Sequence, residues 1–185
     1  MASLLTHAVV GVALGQAAES SWRGDWRFWC AAILCSMLPD IDVIGFGFGI
    51  RYGDLWGHRG MTHSILFAAV IGILAGVLPG KRWSEGWRQG LLLFIIAASH
   101  GALDAMTNGG LGVAFFSPFD LRRYFFPWRP IAVSPLGISA FFSARGIDIL
   151  RNEILWVWIP ALLIGIVLYR FQRQKVRQAS QNNEN

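Results

Sequence analysis

Five apolar stretches, residues 4–18, 26–38, 62–79, 89–107 and 153–170, dominate this chain and set its fold class. Only 15% of the 185 residues are charged, against 54% hydrophobic, whereas a soluble domain carries about 25% charge. That shortage implies a non-aqueous solvent, which a helix of about 20 apolar residues crosses. We therefore expect an all-α, polytopic membrane helix bundle of about five apolar helices. One embedded domain would cover 1–171 and a disordered cytoplasmic tail 172–185, ending in QASQNNEN. Segment 26–38 is the weakest span, because Pro39, Asp40 and Asp42 end it; a half-crossing helix lining a cavity fits there. The first stretch reads as a retained helix. It lacks the positive leader of a cleaved signal and carries His7 in its core.

Charge placement orients the bundle. With the C-terminus in the cytoplasm, the inner segments hold Arg23, Arg27, Lys81, Arg82, Arg88, Arg170, Arg173, Lys175 and Arg177, nine of the 16 basic residues. Short basic loops belong on the cytoplasmic side. The net charge of +5 therefore reads as topology. No basic stripe interleaves with stacking aromatics, so nucleic acid is not expected as a partner. Cys30 and Cys35 match no zinc or redox spacing and read as small buried hydrophobes.

In that orientation all four histidines and three aspartates fall in the outer part of the bundle. They occupy Thr6-His7, Pro39-Asp40-Ile41-Asp42, His58-Arg59-Gly60-Met61-Thr62-His63-Ser64 and His100-Gly101-Ala102-Leu103-Asp104. Imidazole and carboxylate are the ligands of catalytic zinc and of mixed N/O transition-metal sites. His100 and Asp104, four apart, share one helix face, and a carboxylate at membrane depth is costly unless it is paired, protonated or metal-bound. An extended backbone would point Asp40 and Asp42 the same way. Thr62 is placed to cap the third helix, with His63 in its first turn. Arg59 offers a forked donor for a phosphate or carboxylate, or else a headgroup contact. Thr62, Ser64 and Thr107 are candidates to orient the ligands; Asp54 is either another of these or a plain loop charge. Beyond them, residues 108–152 mix Phe115, Phe116, Phe119, Tyr124, Phe125, Phe126 and Trp128 with Arg122, Arg123 and Arg129, a composition suited to the headgroup layer.

The order His7, PDID, HRGMTHS and His100-xxx-Asp104-xx-Thr107 resembles the membrane-bound, metal-dependent hydrolase family typified by the bacterial inner-membrane protein YdjM, also described as LexA-regulated. The likeness covers roughly residues 1–170, including Ser134-Pro135-Leu136 and the Glu153-to-Trp156 stretch. It implies a multi-pass protein of the bacterial inner membrane with a divalent-metal hydrolase site. The expected ligands are His7, Asp40, Asp42, His58, His63, His100 and Asp104, with Arg59 and Asp42 as catalytic groups. The cofactor would be one or two divalent ions, Zn, Mn or Fe. A site at the outer interface points to a lipid or lipid-linked phosphoester. The alternatives are a metal-binding or transport protein without enzymatic activity, or an envelope protein whose metal only holds helices together.

Overall fold

A computed structural model of the chain describes residues 1–77, 83–135 and 143–182. It is all-helical, and among the described residues no strand forms, only two isolated bridges. Helix α1 (Leu4–Gly15) starts at Ser3, whose hydroxyl accepts from Thr6 N. After the short α2 (Ser20–Arg23), α3 (Trp26–Met37) is capped by the Asp25 side chain and runs directly into a 3₁₀ segment, Leu38–Phe48. The next helices are α4 (Ile65–Val77) and α5 (Trp83–Ala105). The last, α6, spans Ala144–Asn182 and is interrupted by a π-turn at Ile154–Trp158.

Among the described residues two of these units, Trp26–Phe48 and Ala144–Asn182, are long and apolar enough to cross a membrane. Helices α1 and α4 are apolar but have only 12 and 13 residues. Helix α6 continues to Asn182, into the segment expected to form the tail. Arg173 and Arg177 there are four apart on one face, which gives the polar extension of the helix a basic side. Lys81, Arg82 and Leu136 lie outside the described residues.

The bundle closes around α1, which contacts α3, α5 and α6. Small residues let the helices approach. A Cβ on Gly11 would sit 2.8 Å from Ser36 Oγ, so α3 can press against α1 only with glycine there. Helices α4 and α5 pair through Gly72, Gly76, Gly86 and Gly90; a Cβ on Gly72 would lie 2.7 Å from the Gly90 carbonyl oxygen. Close backbone packing of this kind replaces the hydrophobic effect where lipid surrounds the helices. The apolar contacts form three clusters, centred on Val10 and Ile131, on Phe28 and Ile96, and on Ala68 and Ala97.

Candidate metal centre

Four segments deliver polar side chains to one end of the bundle. Helix α1 brings His7, the 3₁₀ segment brings Asp40 and Asp42, the turn ahead of α4 brings His63, and the C-terminal part of α5 brings His100 and Asp104. All are buried, as are His58 and Arg59 in the preceding loop. The aspartate pair departs from the extended backbone expected of it. Both lie in the 3₁₀ turn, and both reach the cluster because His63 stands between them, touching Asp40 through Nε2 and Asp42 through Nδ1.

Hydrogen bonds at the far side of each ring fix the tautomers. His100 donates Nδ1–H to the Ser36 carbonyl at 2.7 Å, a group that can only accept. The neutral ring therefore aims the Nε2 lone pair at Asp40 Oδ1, 3.3 Å away. His63 Nδ1 lies 3.1 Å from both Asp42 Oδ2 and Thr62 Oγ1. Its Nε2 faces Asp40 Oδ1 at 3.5 Å and Asp104 Oδ2 at 3.6 Å. Nitrogen lone pairs thus oppose carboxylate oxygens inside a buried site. None of these four converging atoms has a hydrogen-bond partner, and groups so placed call for positive charge between them, a proton on His63 or a bound cation. Asp40, His63, His100 and Asp104 offer four ligand atoms within 4.8 Å of one another, a set that could hold a metal ion.

Asp42 stands differently. Its oxygens accept from His58 Nδ1 at 2.8 Å, Thr62 Oγ1 at 2.7 Å and the Arg59 backbone N–H at 3.2 Å. A carboxylate so engaged orients histidines in the way that carboxylate–histidine–metal triads do. Asp42, His58 and His63 also form a second metal-capable trio, but its donor atoms already bond to one another. His7 is stacked on His100 with centroids 3.6 Å apart and planes 9° from parallel. Its Nε2 lies 3.6 Å from Asp104 Oδ1, and neither ring nitrogen is hydrogen-bonded.

Arg59 does not face outward as a donor for a bound anion. It is fully buried, its backbone has a left-handed φ of 64°, and its Nε lies 3.0 Å from Asp104 Oδ2. Its terminal nitrogens donate to Thr107 Oγ1 and the Gly109 carbonyl, both at 2.9 Å. Thr107 in turn donates to the Asp104 carbonyl. The helix cap also moves. Ser64, not Thr62, accepts from Phe67 N at the start of α4, because the Thr62 hydroxyl is held by Asp42. Asp54 is a loop charge paired with Arg51.

Outside the spans, burial lowers the His58 pKa, partly countered by Asp42. Burial acts against a charge on His63 too, but the carboxylates of Asp104, Asp40 and Asp42 around the ring prevail and raise its pKa well above the usual value. Glu153, named above only as part of the family likeness and given no role in the site, is fully buried and accepts from the N-terminal turn that carries His7. It borders the last apolar stretch and reads as a flanking charge, and its partners lie about 150 positions away, so no local pattern marks it.

The family model described as YdjM inner membrane protein matches residues 1–176. Inner membrane protein YbcI of Escherichia coli (strain K12) is 39% identical over 173 residues, 92% of this chain and 99% of the relative. YvsG of Bacillus subtilis (strain 168) is 32% identical over 126 residues, 63% of this chain and 75% of the relative. No solved structure matches.

Proposed function

Because the chain belongs to the YdjM inner membrane protein family, we propose that it is a multi-pass, membrane-embedded metal-dependent hydrolase. Its substrate class would be a lipid or lipid-linked phosphoester at the outer face. The observation that carries this reading is the opposition of the His63 and His100 Nε2 lone pairs to the oxygens of Asp40 and Asp104. Three contacts in the set, at 3.3, 3.5 and 3.6 Å, are close enough for the groups concerned to share one ion at ordinary metal–nitrogen and metal–oxygen bond lengths of about 2.0–2.2 Å. Two imidazoles favour zinc, manganese or iron over magnesium or calcium. Charge points to one ion. Asp40, Asp42 and Asp104 against Arg59 leave two negative charges, which a single divalent cation balances.

A bound divalent ion supplies a Lewis acid and a water of lowered pKa. The chain's own residues do the rest. Asp42 holds His63 in the Nδ1–H tautomer, and Ser36 does the same for His100. Arg59 neutralises one oxygen of Asp104. His7, unpaired at Nε2 and bordering Asp104, accepts the proton released during hydrolysis. Exposed Phe116, Phe119 and Trp128, on the segment where Arg129 lies over the Phe125 ring, support a substrate that arrives through the headgroup layer.

One observation favours a second reading. All four candidate ligands are buried, and a site that four protein groups would fill leaves no open position, as in structural metal sites. Metal analysis of the detergent-purified protein by plasma mass spectrometry, alongside Asp104→Asn and His63→Ala, tests the centre. One ion per chain, absent from both variants, supports it; a folded, metal-free wild type that takes up no ion refutes it. Removing the metal then separates the readings, leaving a folded inactive enzyme in the first and unfolding the protein in the second. Cleavage of a phosphoester in a lipid panel, abolished by the chelator, identifies the hydrolase.

A further inference from the structure

Glu153 contributes no atom to the metal centre, yet it accepts three hydrogen bonds from the start of α1. Ser3 N–H donates to its Oε1 at 2.6 Å. The Ser3 and Thr6 hydroxyls donate to its Oε2 at 2.5 and 2.8 Å. Trp158 Nε1 reaches the same Thr6 hydroxyl at 2.7 Å. In a regular α-helix residues 153 and 158 would point about 140° apart, at 100° per residue. The π-turn Ile154–Trp158, bonded i→i+5, narrows that angle, and both side chains bond the Thr6 hydroxyl. A π-turn is uncommon and tends to lie at functional positions; here its visible product is this clamp.

What the clamp holds is the residue before Ser3. Ala2 N–H donates to Asp104 Oδ1 at 2.7 Å, while Arg59 lies against Oδ2. With Oδ1 tied to Ala2, Oδ2 is the oxygen turned toward His63. The same anchored turn carries His7, whose backbone N–H donates to the Ser3 carbonyl. We infer that Glu153 is a positioning residue for the metal centre, acting through Ser3 and the Ala2 N–H to orient the Asp104 carboxylate for ligation. The inference rests on the metal-centre reading above. It adds a residue from α6, which supplies no ligand.

The test is a double-mutant cycle on zinc affinity, using the full chain in detergent with zinc competed against a chelator. Circular dichroism and melting monitor the fold. Glu153→Ala and Ala2→Pro, which removes the N–H donor and fixes φ near −65°, each weaken zinc binding by about 10–100-fold, the usual range for groups that orient ligands. Combined, they cost no more than the larger single change, because both act on one contact. Glu153→Gln still accepts from Ser3 N–H and stays near wild type. A merely structural role would lower the melting temperature and leave affinity and coupling unmoved.

Unchanged zinc affinity in folded Glu153→Ala overturns the inference, as do two losses that multiply. If Glu153→Ala does not fold, Ala2→Pro decides, and unchanged affinity there overturns it. A wild type that takes up no zinc overturns the metal-centre reading and this inference with it. A loaded wild type beside indifferent variants overturns the inference alone.

Discussion

The rings of His7 and His100 lie face to face at 3.6 Å, yet only His100 points a nitrogen into the four-atom cluster. Stacking fixes the position of His7, and its free nitrogens give it chemistry of its own. His7→Phe keeps the ring contact and removes the nitrogens. We expect metal content to remain at one ion per chain while hydrolysis falls by about 10²–10⁴-fold, the contribution of a general base. Metal analysis and turnover on the same preparation check this.

Asp42→Asn tests the orienting carboxylate. The amide cannot accept from the His58 ring, the Thr62 hydroxyl and the Arg59 backbone together, and it does not favour the Nδ1–H tautomer of His63. Metal affinity falls about 10–100-fold with the fold retained, read by chelator competition.

Arg59→Lys keeps the charge and loses the fork. The bonds to Thr107 and Gly109 have no replacement, and Asp104 loses its close partner. The metal-free protein loses about 2–4 kcal/mol, between the cost of an unmade buried hydrogen bond and that of a broken buried ion pair. Reversible unfolding in detergent measures it.

The pH response has two arms. His58 is held neutral by burial, its pKa lowered, so the stability it contributes is present above its ordinary value of 6.5 and is lost as pH falls below that value. His63 is raised well above 6.5; its contribution is complete below 6.5 and is lost as pH rises through the raised value. A metal ion replaces the proton on His63, so loading removes the alkaline arm and leaves the acid one. Melting temperature against pH, with and without chelator, shows both.

Gly72→Ala places a methyl 2.7 Å from the Gly90 carbonyl oxygen, which as backbone cannot turn aside. The α4–α5 pair must part, at about 1–3 kcal/mol, and metal affinity falls because His63 precedes one helix and His100 rides on the other. Gly47→Ala, with nothing within 4 Å of the added Cβ, leaves both melting and affinity unchanged.

The helices and the candidate ligands were legible in the sequence because each has a local signature. Apolar runs mark α1, α3, α4 and α5, and the four-residue spacing of His100 and Asp104 places them on one face. The division of labour was not legible. Asp40 and Asp42 read as equals two residues apart, and only the position of His63 between them separates a candidate ligand from a carboxylate bonded to His58, Thr62 and Arg59. Arg59 read as an outward donor, because the Thr107 and Gly109 groups that occupy it are supplied by tertiary folding. Thr62 read as a cap until Asp42 claimed its hydroxyl. The π-turn depends on the partners of Glu153 and Trp158 across the bundle, which no window of sequence contains.

Helix α1, with 12 residues, measures about 18 Å at 1.5 Å per residue, whereas a hydrocarbon layer is about 30 Å thick. On the reading proposed above, a bilayer meeting so short a wall would thin locally to match it. A phosphoester carried in its headgroups would then be lowered toward the end of the bundle where His63 and Asp104 lie.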